Sequence, residues 1–297
     1  MRFPTPAALG LILVGCAGAG ATAAIAPAAP SSQPHGSADA SRPAASPATA
    51  TTGPHEWPEL NQAFETERVT GTIALFDSQD GVLGCSNLKK CQTAVTPAST
   101  FKIPHSMVAL EAGAVEGPDT IMPWNHQTFT NDDWNQDLTF RDAFRLSCVP
   151  CYRAIARKLG DATEQEWLNK LGYGNRSIEG GVDKFWLGGG LRISALEQID
   201  FLRRFDGDKL PISSRTADLV RDIMTIDVTE SYVLRGKTGS ALPPDEPEET
   251  LWFVGWLELG ERRVFFATLL DSHASDVDPL RVRRSVTERV LKSKGWM

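Results

Sequence analysis

The chain puts its strand-like stretches at its two ends and its helical periodicity between them. "GTIALFD" (71–77) is a run of apolar and β-branched residues, and three more such runs, 231–239, 251–259 and 262–270, come near the C-terminus. The last two are separated by Gly260-Glu261, an antiparallel hairpin spacing. In between, Thr139 with Asp142, Thr163 with Glu166 and Ser194 with Glu197 each carry the capping spacing of a helix start, and Gly160 and Gly172 fit helix stops. Residues 282–295 form a basic amphipathic closing helix. Strands early and late with helices between them predict an α+β fold: an antiparallel sheet flanked by helices, with an all-helical subdomain inserted in the middle.

The first 54 residues stand apart from that pattern. Arg2 precedes the apolar "AALGLILVG", which is too short to span a bilayer and reads as the core of a signal peptide. It ends in Leu13-Val14-Gly15-Cys16, similar to the lipobox of bacterial lipoproteins, whose cysteine is lipidated. The other reading is an ordinary secretory signal cut at a later Ala-x-Ala site, and both readings export the chain. Residues 17–54 contain fourteen alanines, six prolines and two charges, a composition that cannot bury a core. As a flexible coil this tether reaches on the order of 35 Å. The expected organisation is a signal segment 1–16, a linker 17–54 and one folded domain, 55–297. The product is expected in the periplasm or on the cell surface, touching a membrane only through its lipid.

The net charge is −7, and no basic run interleaves with aromatics, so nucleic acid is excluded as a partner. Five cysteines is an odd number for an exported chain. Lipidation of Cys16 leaves Cys85 with Cys91 and Cys148 with Cys151. "GCSNLKKC" (84–91) reads as a loop tip that a short Cys85–Cys91 disulfide closes. Cys148 and Cys151, near a helix start, are either paired or two small buried apolar residues. No zinc-ligand spacing joins the cysteines and histidines, and no metal is expected.

"PASTFKIPHS" (97–106) sets Ser99 and Lys102 three residues apart at a helix start, on one face and among apolar neighbours. A serine hydroxyl needs a base to act as nucleophile, and a desolvated lysine can be one. A second Ser-x-x-Lys, Ser86 to Lys89, falls in the presumed cysteine loop and is read as accidental. Lys237-Thr238-Gly239 ends a strand. It is no P-loop, because the glycine that motif requires is Ser231 here. It suits a grip on a substrate carboxylate, with Gly239 letting the substrate backbone approach. Ser147 serves equally well as a helix cap or as a catalytic hydroxyl, Tyr173-Gly174-Asn175 as a turn, and Trp186 as core.

Taken in order, Ser99-Thr100-Phe101-Lys102, Ser147-x-Val149, Tyr173-Gly174-Asn175, Phe185-Trp186-Leu187 and Lys237-Thr238-Gly239 resemble the class D, oxacillin-hydrolysing serine β-lactamases. The resemblance runs through residues 57–297. The related class A pattern has Ser-Asp-Asn as its second motif; here Ser-x-Val stands instead. The resemblance implies hydrolysis of β-lactam antibiotics through an acyl-enzyme on Ser99. It implies that Lys102 is carbamylated by CO₂ or bicarbonate and serves as general base, in a pocket of Phe101, Val149, Trp186 and Leu187, with the Trp186 indole holding the carbamate. It further implies Ser147 as proton shuttle tuned by Lys237, and backbone amides of Ser99 and Ser240 as oxyanion hole. Arg281, after Pro279-Leu280, would bind the substrate carboxylate beside Thr238, and Cys85–Cys91 resembles a disulfide of some members. Ser240 stands where an aromatic is common, and "ALPPDEPEET" (241–250) replaces a loop that shapes substrate choice. A β-lactam sensor domain, acylated without turnover, carries the same motifs, and a lipoprotein that binds β-lactams without acylation is the remaining alternative.

Overall fold

The structure, a computed structural model, describes residues 53–241 and 249–297. The expected signal segment 1–16 with Cys16, and the tether 17–54 but for its last two residues, lie outside them. The strands are β1 (His55–Glu56), β2 (Val69–Asp77), β3 (Val82–Cys85), β4 (Ile121–Met122), β5 (Leu138–Thr139), β6 (Thr225–Val228), β7 (Val233–Ala241), β8 (Thr250–Leu259) and β9 (Arg262–His273). The helices are α1 (Asn61–Thr66), α2 (Leu88–Gln92), α3 (Lys102–Glu111), α4 (Phe140–Arg145), α5 (Val149–Leu171), α6 (Ala195–Asp206), α7 (Ser214–Ile223) and α8 (Pro279–Ser293).

One seven-stranded sheet runs in the order β1-β3-β2-β9-β8-β7-β6. The early and late strands meet where β2 pairs antiparallel with β9, from Val69↔His273 to Asp77↔Val264. The hairpin expected at 260–261 joins β8 to β9, with Gly260 at φ 63°. Two details depart from the expected architecture. β1 pairs parallel with β3. The insert also holds a small second sheet, β4 with β5, so it is not all helical. Two-residue strands carry no alternation to read.

Alternation along the long strands makes two cores from this sheet. Ile73 and Leu75, Phe253 and Leu257, and Val264, Phe266 and Leu270 face one core, closed by Phe64 of α1 and by Val282, Val286 and Val290 of α8. Ala74 and Phe76, Trp252 and Trp256, and Phe265 and Ala267 face the other, beneath α6 and the inserted helices. Because both faces are covered, these strands read as continuous apolar runs.

The caps at α4 and α6 are those expected. Thr139 accepts from the Asp142 amide, and Ser194 with Glu197 completes a capping box. Gly172 closes α5 in the left-handed conformation. At Gly160 (φ 78°, ψ 164°) α5 breaks into two helices, the stop the sequence leads one to expect, and Thr163 lies in the first turn after the break. The glycine takes the non-helical turn itself, and the helix resumes directly after it.

Candidate active site

Ser99 sits in a 3₁₀ turn, Ala98–Phe101, that runs straight into α3 at Lys102. Ala98 is held at φ 49°, a costly conformation for a residue with a Cβ, immediately before the hydroxyl. The three-residue spacing does what the sequence led one to expect: Lys102 Nζ donates to Ser99 Oγ at 3.0 Å. Lys102 is 0 % exposed. Burial first, and then the positive charge of Arg153, bring its pKa down to about 7. Among the described residues it has no carboxylate partner; its amine lies 4.9 Å from the Tyr152 ring centre.

Around it stands an aromatic wall. Phe101 stacks on Trp186 at 5.6 Å and meets Phe185 edge-on at 5.0 Å. Trp186 is anchored through its backbone, its carbonyl accepting from Thr96 Oγ1, while the Thr96 carbonyl accepts from Trp252 of β8. The Trp186 indole Nε1 is buried with no hydrogen-bond partner among the described residues. Val149, the first residue of α5, lines the cleft, and Leu187 packs half-buried against the same aromatic core. Tyr173 lies behind the nucleophile turn, where its hydroxyl and Thr100 Oγ1 both receive Gln198 Nε2. Asn175 binds Gly190 O and the Arg192 amide. The Tyr-Gly-Asn motif therefore braces the site from behind without entering the cleft.

The opposite wall is β7. Lys237 is buried and donates to Ser147 Oγ at 2.7 Å and to Thr238 O at 3.0 Å. Burial, reinforced by the charges of Lys102 and Arg283, pushes its pKa well below the usual lysine value. Ser147 is not the cap of α5. Cys148 is, leaving Ser147 at φ 57° with its hydroxyl turned to Lys237. A Cβ on Gly239 would come within 3.0–3.2 Å of Pro97 O and of Thr100. The close neighbour this glycine admits in this structure is the nucleophile turn. Ser240 Oγ donates to Glu249 at 2.7 Å. Ser99, Ser147, Val149, Thr238, Gly239 and Ser240 share one cleft of about 410 Å³.

Two expectations are corrected. Arg281 is exposed and faces a separate groove with Thr66 and Arg68. The arginine that reaches the cleft is Arg283, two residues on, which donates to Gly239 O at 2.6 Å and whose pKa burial lowers to about 10. Two residues along a helix is more than half a turn, so the two side chains lie on different faces. A signal was available: Arg283 falls in the stripe of Val282, Val286, Thr287 and Val290 that α8 buries. The second correction concerns cysteines. Cys85 and Cys91 are free thiols, both wholly buried, with Cys91 Sγ 3.1 Å from Thr72 Oγ1. Their segment is no loop tip, because β3 turns there directly into α2, capped by Asn87. The bonded pair is Cys148–Cys151.

The sequence reading also missed a buried pair behind Lys102. His105 Nε2 and Glu164 Oε1 lie 2.7 Å apart, both side chains fully buried, without meeting hydrogen-bond geometry. The His105 ring packs on Phe101, Tyr152 and Trp186. Nothing but its place one turn beyond Lys102 marked His105, and nothing marked Glu164.

The arrangement offers a buried hydroxyl beside an amine held near neutrality, a second hydroxyl bridged to a second lysine, and a buried arginine that lines the cleft. Such a cleft suits an anionic substrate and acyl transfer.

The family of penicillin-binding protein transpeptidase domains matches residues 58–292. The β-lactamase OXA-48 of Klebsiella pneumoniae is 38% identical over 242 residues, 80% of this chain and 90% of that protein. Among solved structures, the class D β-lactamase YbXI from Nostoc superposes with a TM-score of 0.77 at 39% identity, over 80% of this chain and 99% of that one. FUS-1 (OXA-85), a class D β-lactamase from Fusobacterium nucleatum subsp. polymorphum, gives 0.78 at 34% identity, over 82% and 100%.

Proposed function

The chain belongs to the class D serine β-lactamases, and with that as premise we propose that it hydrolyses β-lactams through an acyl-enzyme on Ser99, with a carbamylated Lys102 as general base. The observation that carries this reading is Lys102 itself: dry, without a carboxylate partner among the described residues, 3.0 Å from the Ser99 hydroxyl, and with a pKa near neutrality. An amine brought from about 10.4 to near 7 is uncharged often enough to act as a nucleophile toward CO₂. Carbon dioxide bound there supplies an anionic base within reach of Ser99 and then of the hydrolytic water. The residues present fit it. Trp186 Nε1 is a buried donor without an acceptor among the described residues, Phe101 and Leu187 pack in the aromatic core beside it, and Val149 lines the cleft.

In this reading Ser99 Oγ attacks the lactam carbonyl, and the backbone amides of Ser99 and Ser240 receive the developing oxyanion. Ser147, held by Lys237, passes a proton to the lactam nitrogen as the C–N bond breaks. Thr238 and Arg283 hold the substrate carboxylate, Arg283 taking the role the sequence reading gave to Arg281. The test is turnover of a chromogenic cephalosporin by the purified chain, in CO₂-depleted buffer and with bicarbonate restored. Multiple turnovers, slowed by depletion and recovered by bicarbonate, are expected. One burst ending in a stable Ser99 adduct would make the protein a β-lactam sensor, and absence of any adduct a binding protein.

From the signal segment and lipobox we further propose that the domain is exported to the periplasm or the cell surface and tethered to a membrane through lipid on Cys16. Labelled palmitate is expected in the wild-type chain and not in Cys16→Ser; equal labelling refutes the anchor.

A further inference from the structure

The second motif and the two residues after it hold two side chains that acyl transfer does not use. In "SCVPC" (147–151), Cys148 and Cys151 are bonded to each other across the first turn of α5. They differ in access. Cys148 is wholly buried and caps the helix, its Sγ accepting from the Cys151 amide at 3.2 Å. Cys151 is half-buried and lines a cavity of about 120 Å³ with Trp124, Trp134, Pro150 and Arg157. Trp134 also lines the catalytic cleft, so the two cavities adjoin.

The chemistry of the two sulfurs follows from their places. A thiolate at a helix N-terminus is stabilised by the aligned peptide dipoles. Cys148 is therefore the sulfur that leaves when the reachable one, Cys151 Sγ, is attacked, the helix start offsetting part of the cost of its burial. What the bond holds is Ser147, the residue immediately before it. Ser147 keeps a left-handed backbone, with φ 57°, only because its neighbours fix it. On one side the amides of Ser147 and Cys148 are tied to Phe144 O and Ala143 O of α4. On the other side stands the disulfide.

We propose that the Cys148–Cys151 disulfide is a redox-sensitive positioning element for Ser147, open to dithiols through the Trp124–Trp134 cavity, and that its reduction slows acylation by loosening the Ser147–Lys237 contact. The inference rests on the proton-shuttle role given to Ser147 above. A dithiol thiolate attacks Cys151 Sγ, and the S–S bond breaks with its electron pair on Cys148 Sγ, which takes up a proton. The second thiol of the dithiol then attacks the mixed disulfide and releases Cys151 as a thiol. Two electrons and two protons pass to the cysteine pair, and the reductant leaves as its own disulfide. Cys85 and Cys91, already thiols, take no part.

The experiment uses the full chain, oxidised, then treated with dithiothreitol, then reoxidised, with the state of residues 148 and 151 read by alkylation and peptide mapping. Acylation by a penicillin and decay of the preformed acyl-enzyme are followed separately by intact mass. Reduction is expected to slow acylation on the order of 10- to 100-fold, a loss typical of a misplaced catalytic group, while deacylation barely changes. Reoxidation restores the rate. A double variant, Cys148→Ala with Cys151→Ala, checked for a cooperative melt, is expected to acylate as slowly as the reduced enzyme and to ignore dithiothreitol. Unchanged acylation in enzyme mapped as reduced overturns the proposal, as does sensitivity that survives in the double variant or a 148–151 pair that maps as thiols before treatment. Ser147→Ala separates the two levels. If it slows acylation while reduction does not, only the redox element falls; if it leaves acylation intact, the shuttle role falls with it.

Discussion

The two faces of the sheet are packed to different ends. Under α1 and α8 the clustered side chains run from Leu60 and Phe64 to Val286 and Leu291, aliphatic or aromatic; Thr268 and Thr287 satisfy each other at 2.6 Å, and the charged group that α8 buries, Arg283, reaches the cleft. Under α3, α5 and α6 the sheet buries Lys102, His105, Ser106, Glu164 and Gln198 among its aromatics. Desolvating charged groups costs several kcal/mol each before any compensation, so the second face gives up stability that the first supplies. The contrast locates function: the expensive residues surround Ser99, and the plain core holds the sheet on which they are mounted.

The contrast can be broken by substitution. Lys102→Ala is expected to have the largest effect, slowing deacylation on the order of 10³- to 10⁴-fold, so that acyl-enzyme accumulates in intact-mass spectra. Normal turnover by that variant would refute the base. Glu164→Ala leaves His105 without its partner and should cost about 4 kcal/mol in urea unfolding. A loss below about 1 kcal/mol, the scale of an ordinary surface contact, would show that the buried pair contributes little to holding the fold. On the plain face, Leu270→Ala should cost about 3 kcal/mol of stability with kcat unchanged. A parallel fall in kcat would erase the division of labour between the faces.

The pH dependence sharpens the same comparison. Below a pKa of about 7 Lys102 is protonated and cannot capture CO₂. Initial rates should therefore fall about tenfold per unit, about 1.4 kcal/mol, on the acid side of pH 7. The sign for stability is the same. Folded Lys102 binds its proton only below about 7, whereas an unfolded lysine holds one up to about 10.4. The unfolded chain is thus the better proton binder between those values, and stability rises with pH across that window. A rate profile flat from pH 6 to 8 would contradict the buried amine. Smallest of all, Thr287→Val should cost about 1 kcal/mol by unpairing Thr268, with no change in turnover.

Much of this was legible before the structure. The capping box at Ser194 and Glu197, the strands at 71–77, 251–259 and 262–270, and the Ser99–Lys102 spacing are local, and local geometry follows from nearby residues. The short strands β3 and β6 were missed because four residues cannot establish a period. Arg281 has the expected place after Pro279-Leu280, but the face of α8 turned to the cleft belongs to Arg283. The cysteines defeated spacing altogether. Cys85 and Cys91 looked like a loop to be closed and are two buried thiols, whereas Cys148 and Cys151, which the sequence left undecided, are bonded.

By itself the sequence determined what depends on neighbours a few residues apart: the periodicities, the helix caps, and a hydroxyl and an amine on one face of a turn. Only the tertiary structure decided which charges are dry and which side chains meet across the cleft. The reason is that desolvation and contact are set by atoms brought from remote parts of the chain. Arg153, Trp186 and Lys237 must all be in place before the environments of Lys102 and Ser147 acquire any meaning.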